Sequence, residues 1–382
     1  MTAAAEPALT LDPSEFARRV IRPGEFVADR SAFVDVRLPR SSGKASYSLI
    51  GPGVSQNPDQ VVNLPEAHGF HVGAASMGHG VVNNQHMHFT AEVFICTRGA
   101  WRMRIGEHGQ QTLDISAGTV FSVPTWVFRG FENIGPDDGW LYAVLGGDET
   151  GGIVWAPSVL RAAAETGLFL GPDGTVIEAT DGRAPKNCVE PLGPSQLSSL
   201  DSYSDTDLAA RAVTLADLAW SRHALLSSVS LNGASPPVEL APVIGHGVTE
   251  DRHHRPPITN PHGFSVEWLR AAPGASFGLH RLAAPQAVIL TGGRWEVSVN
   301  RGADRLAGRP EEGSVVSVPP GAWRDFVNVG ESEAYALIVC NSQQRPRILW
   351  DEALAQSAAD NGWSRDASGY LAPASLVSGA AP

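Results

Sequence analysis

The 382-residue chain contains one pattern twice. Residues 50–72 read IGPGVSQNPDQVVNLPEAHGFHV, and residues 244–266 read IGHGVTEDRHHRPPITNPHGFSV; they superpose without a gap at an offset of 194. The register continues through Gly80 and Gly274, His86 and His280, Gly99 and Gly293, and Trp101 and Trp295. After one inserted residue the offset is 195, and Gly118, Pro124, Arg129, Phe131 and Asn133 fall on Gly313, Pro319, Arg324, Phe326 and Asn328. Trp155 falls on Trp350. Self-similarity over half the length means one supersecondary unit built twice. The expected division is residues 1–190 and 191–382, with the joint in the polar stretch PLGPSQLSSLDSYSDTD at 191–207.

Each unit reads mostly as strand. In AWRMRIG, Trp101, Met103 and Ile105 alternate with Arg102 and Arg104, the period of a half-buried hairpin strand. EVFICT at 92–97 is rich in strand-forming residues. FSVPTWVF and VVSVPPGAW are strands punctuated by Pro, which belongs at an edge, bulge or strand end. A helix closes each unit, at 157–166 and 351–361, and Gly follows both. The 40 Gly and 28 Pro suit short strands and tight turns better than long helices. The fold class is therefore all-β, a jelly-roll barrel in each half.

The formal net charge of −12 and the lack of a dense Lys/Arg run argue against nucleic acid as a partner. Cys96, Cys188 and Cys340 are too scattered for a zinc or disulfide framework. No signal peptide is recognisable at the start and no stretch is apolar enough to span a bilayer, so neither a membrane nor export is expected and the reading is cytoplasmic.

The chemistry concentrates in Gly80-VVNNQ-His86-Met-His88-FTA-Glu92-VFICTR-Gly99. On a strand His86 and His88 point to one face. Glu92 has the same parity, or lies just beyond a turn at FTA. Two neutral imidazoles and a carboxylate are a usual ligand set for a redox-capable first-row metal with open positions. Asn84 and Gln85 are candidates for orienting the ligands, and His71, opposite Ser265 in the second half, for a fourth ligand or proton shuttle. Trp126, Phe94 and Met87 are candidates for an apolar pocket, with core packing as the simpler use. His68 and His262, present in both halves, read as structural; His79, His253 and His254 read as surface.

Residues 80–99 match every fixed position of G-x5-H-x-H-x3or4-E-x6-G, the first motif of the cupin superfamily, which the chain resembles through both halves. The second motif, G-x5-P-x-G-x2-H-x3-N, is met at Gly118, Pro124 and Asn133, while Trp126 replaces its Gly and Arg129 its His. In the second half His280 remains, but Leu282 and Gln286 stand at the other two ligand positions and Arg324 again replaces the last His. The resemblance implies a bicupin: tandem double-stranded β-helix barrels, with a metal at His86, His88 and Glu92 in the first and a degenerate second barrel. Arg129, always charged, is expected to grip a substrate anion or to pair with Glu92.

Likeness to quercetinase-like, aromatic-ring-cleaving cupins implies a metal-dependent dioxygenase acting on a small aromatic, phenolic or enolisable substrate. Glu92 and Arg129 would be its catalytic residues and dioxygen its co-substrate. Iron(II) is the first expectation for the metal; manganese, nickel and cobalt suit the same ligands. Two other readings stay open: a non-redox lyase, decarboxylase or isomerase on a hydroxy or sugar acid, and a small-ligand-binding cupin. A homo-oligomer is the expected assembly.

Overall fold

The computed structural model describes residues 8–179, 183–230, 237–342 and 344–377. The chain forms two compact units, Phe26–Asp217 and Leu218–Pro382, the latter joined by Met1–Glu25. The division expected at 190/191 thus moves to 217/218. The reason is apolar content inside the polar stretch. Leu208 is buried in the core of the first unit, and Leu192, Leu197 and Leu200 pack against a second cluster there.

The first unit is a barrel of two sheets. One runs in the order Ile153–Trp155, Val82–His88, Arg129–Asn133, Ala100–Ile105, Gln111–Ser116. The other runs Ala212–Val213, Val120–Val123, Glu92–Arg98, Gly139–Gly146, Phe70–Met77, Ala45–Ile50, Val62–Leu64. Pairing is antiparallel throughout, except between Ala45–Ile50 and Val62–Leu64. Phe94, Phe121, Met103, Trp101 and Leu141 fill the space between the sheets, each almost wholly buried.

The second unit repeats this plan. Its larger sheet runs Val20–Ile21, Val315–Val318, Gln286–Gly292, Ala334–Cys340, Ser265–Ala271, Val238–Ile244. Its smaller sheet runs Leu306–Gly308, Trp295–Val299, Arg324–Asn328, His280–Arg281, Leu349–Trp350. The strand on the Val315 edge comes from the start of the chain: Val20 pairs with Val316 and Ile21 with Val315. In the first unit the equivalent edge is filled by Ala212 and Val213, against Phe121 and Val120.

Helices Pro157–Glu165 and Glu352–Asp360 close the units. Both end as the sequence predicts, with Gly167 and Gly362 at φ 83° and 81°, the left-handed region that glycine enters freely. Among the described residues, no helix is long and apolar enough to cross a membrane.

Candidate metal centre

Side-chain alternation on Val82–His88 turns His86 and His88 into the first barrel, their ring centroids 4.9 Å apart. The chain then turns at Phe89–Ala91 and enters the other sheet at Glu92. One donor atom from each of His86, His88 and Glu92 lies within 4.8 Å of the other two, and all three residues are buried. A first-row cation sits about 2 Å from each donor, so closing the group on one needs only small side-chain movements.

Backbone carbonyls fix the imidazoles. His86 Nδ1 donates to Asn84 O at 2.8 Å, and His88 Nδ1 donates to Gly152 O at 3.1 Å. That tautomer leaves each Nε2 with its lone pair, the arrangement a ligating histidine needs. His88 Nε2 lies 3.6 Å from Glu92 Oε2. Burial, with Arg129 adding to it, pushes the His86 pKa down to about 3 and that of His88 well below the usual range, so both rings are neutral. Burial pushes Glu92 up to about 7, against the opposing pull of Arg129.

Arg129 is fully buried, and its strand pairs it with His86. Its Nε lies 3.2 Å from Glu92 Oε2, yet neither atom has an aligned hydrogen bond. Nη1 donates to Val127 O at 3.2 Å. Of the two roles expected for Arg129, pairing with Glu92 is the one the geometry provides, because Arg129 is not part of the cavity wall. Arg324 behaves alike in the second barrel, where Nη1 donates to Gln286 Oε1 at 3.3 Å. The arginine in both copies holds the side chain at the position of Glu92 or Gln286. The donor set fits a divalent metal: two imidazole nitrogens face a buried carboxylate oxygen that has no aligned partner of its own.

The three ligands line a cavity that opens to solvent. Its wall is largely apolar and includes Val72, Met77, Phe94, Leu141, Ile153 and Trp155. Its other charged group is Lys44, which sequence reasoning missed. Lys44 is 6% exposed and ion-paired to the fully buried Asp35. It also donates to Asn83 Oδ1 at 2.8 Å. Asp35 accepts from the Asn84 amide side chain at 2.9 Å and from Ser41 Oγ at 3.2 Å. Burial lowers the Lys44 pKa against the opposing effect of Asp35. Burial raises that of Asp35, but Lys44 and the hydrogen bonds outweigh it and the net shift is downward.

Other expectations resolve as follows. His71 is not brought to the cluster: its Nδ1 accepts from Gly53 N–H at 3.0 Å and its Nε2 donates to Asp148 O at 3.0 Å. Gln85 points away and donates to Arg104 O, while Asn84 orients His86 through its backbone carbonyl. Phe94 lines the cavity, and Met87 lies in a separate core cluster. Trp126 is 42% exposed, edge-on to Phe89 and outside the cavity wall. His68 and His262 place Nδ1 2.7 Å from Glu66 O and Asn260 O, a shared turn contact. His79 and His253 are exposed, but His254 is buried between Thr249 and Ala219 O.

No protein-family model matches this sequence, and no curated protein sequence does. Solved structures do match in fold. The chain is similar to an oxalate decarboxylase–formate complex from Lactobacillus farciminis, with TM-score 0.52, 13% identity and 89% of each chain covered. It is also similar to a vicilin from Capsicum annuum, with TM-score 0.51, 11% identity and coverage of 87% of this chain and 88% of that one. With the 80–99 motif in place inside the first of two such barrels, the chain is by fold a bicupin.

Proposed function

We propose that the first barrel is the active site of a metal-dependent enzyme that acts on a small organic acid. The reaction expected is non-redox breaking of a bond next to a carboxylate or carbonyl, as in a decarboxylase or lyase. The observation that carries this is the convergence of His86 Nε2, His88 Nε2 and the Glu92 carboxylate in one buried group open to a cavity. A divalent first-row cation held there would supply Lewis acidity and polarise a substrate oxygen.

Charge favours an anionic substrate. With neutral imidazoles, a dication and Arg129 together outweigh the single negative charge of Glu92. A buried site with surplus positive charge is stabilised by an anion, and more so as charge develops at a carbanion or enolate. The mostly apolar walls suit an acid bearing an apolar body rather than a bare dicarboxylate. Asn84 O and Gly152 O hold the imidazoles in orientation. Arg129 fixes Glu92 from behind. Trp155, Phe94 and Leu145 give the wall its apolar surface.

The same apolar wall favours a second reading, the dioxygenase acting on an aromatic or enolisable substrate. The fold does not choose between them, because cupin-like barrels host unrelated chemistries. The test is metal analysis of purified protein followed by turnover of aryl and alkyl hydroxy and keto acids, with and without oxygen. Turnover under nitrogen supports the lyase. Turnover that needs stoichiometric oxygen supports the dioxygenase. Wild-type protein that takes up no first-row metal defeats both.

A further inference from the structure

We propose that Lys44, fixed by Asp35 and Asn83, is the anion-binding residue of the first-barrel cavity and receives the carboxylate of a hydroxy or keto acid whose other oxygen lies at the His86–His88–Glu92 group. The second anchor rests on the metal reading above; the Lys44 anchor rests on its own geometry.

Comparison of the two barrels within this chain carries the inference. Strand register pairs Ala45 with Ser76 and, 194 residues on, Glu239 with Arg270; Lys44 and Val238 each stand one residue before, so they are equivalent. Asn83 is likewise equivalent to Phe277 by the 194-residue offset. Phe277 stacks on His280 with centroids 4.5 Å apart, and Val238, Phe277 and Leu282 all belong to the apolar core of the second unit. The second barrel therefore closes without Lys44, Asn83 or a second histidine. A buried ion pair is costly to desolvate, and an apolar replacement serves packing as well or better. Lys44 and Asn83 are present in the barrel that keeps the ligands and absent from the barrel that has lost them, so the fold does not require them.

Local geometry suits an anion. An ammonium has three N–H donors. Asp35 and Asn83 accept two, which leaves one without a protein acceptor. The ammonium itself lies over aromatic faces, with Nζ 5.0 Å from the Phe33 centroid and 5.9 Å from that of Trp155. Trp155 in turn lies 5.3 Å, centroid to centroid, from His86. Lys44, Asn83, Trp155 and His86 thus line one cavity, with the ammonium and the ligand group joined through Trp155. Arg129, the cation the sequence offered for this task, lies outside that wall.

The experiment titrates manganese-loaded protein with 2-, 3- and 4-hydroxybenzoate and with the three matching neutral hydroxybenzamides, by calorimetry. The acids and amides share shape and hydroxyl position and differ in charge. Wild type is expected to bind at least one acid 30-fold or more tightly than its amide. Lys44→Met/Asp35→Asn, which leaves no lone charge buried, is expected to reduce that preference below threefold with manganese content unchanged. Lys44→Gln/Asp35→Asn repeats the measurement should the first double variant not give a native circular dichroism spectrum. An unaltered preference in a folded double variant, or no acid preference in wild type, overturns the proposal. An acid preference that needs Lys44 in protein that binds no manganese supports the proposal and overturns the metal reading alone.

Discussion

Glu267→Gln is expected to stabilise the second unit, and to do so more as pH rises. Glu267 lies mid-strand in Ser265–Ala271 with no solvent exposure. Its Oε1 accepts from Val248 N–H at 2.7 Å, and its Oε2 has no hydrogen-bond partner among the described residues. The carboxyl rests against Gly247, at φ 58°, where an added Cβ would stand 2.2 Å from Oε2. Burial pushes the pKa up to about 8, with the Val248 bond opposing. In the unfolded chain the group titrates near 4.5. The folded state therefore holds its proton more tightly, so stability is fully present below pH 4.5 and is lost as pH rises to 8. At about 1.4 kcal/mol per pH unit, the loss reaches roughly 3 kcal/mol at pH 7.

Glutamine keeps the acceptor for Val248 and cannot ionise. Its amide brings two N–H donors where the acid has one O–H, a cost that is the same at every pH. The variant should lie at or below wild type near pH 4.5, and the difference should move in its favour by about 3 kcal/mol by pH 7. Because two units unfold in one chain, the assay is amide hydrogen exchange by mass spectrometry on peptides covering 265–271 and 286–292, at pH 5 and pH 7.5. Equal protection of wild type and variant at pH 7.5, or a gap that does not widen with pH, refutes the reasoning.

Three further outcomes are expected. His88→Ala should reduce bound metal to under a tenth of an equivalent by mass spectrometric metal analysis, since two remaining donors hold a dication weakly. Deleting residues 8–21 removes Leu11, Phe16, Val20 and Ile21 from the second unit, all buried; at about 2 kcal/mol each the loss is several kcal/mol, read as lost exchange protection in 315–318 with 92–98 unaffected. Trp126 has φ 61°, the region its equivalent Gly321 occupies at 76°. Trp126→Gly should thus be about 1 kcal/mol more stable than Trp126→Ala in thermal melts, the reverse of the usual order, because only glycine relieves the backbone.

Much of the architecture was legible because the repeat and the strand alternation agree. Trp101, Met103 and Ile105 are buried on Ala100–Ile105 as their spacing predicts, and the two Gly-terminated helices fall within a residue of expectation. His86, His88 and Glu92 were legible because a two-residue spacing fixes a face. Lys44 and Asp35 were not. They come from an irregular segment and the residue just before a strand, where no periodicity aims a side chain. Asn83 was within reach, since its replacement by Phe277 marks a polar-to-apolar switch beside an equivalent histidine. His71 misled because its difference from Ser265 reflects a local contact with Gly53 and Asp148. The place where the units part escaped composition because Leu208 and its neighbours are hidden among serines and aspartates.

The edge strand Val20–Ile21 also imposes an order of events during synthesis. It leaves the ribosome ahead of both barrels, but its partner Val315–Val318 follows about 300 residues later, which at 5–20 residues per second is a wait of roughly 15–60 s. Through that interval the first barrel can complete itself, since its own edge partner, Ala212–Val213, precedes the second barrel. The second barrel cannot finish until a segment made before the first barrel is recruited. The last half of the gene, expressed alone, would therefore yield a sheet with an open valine edge, a template for association between chains.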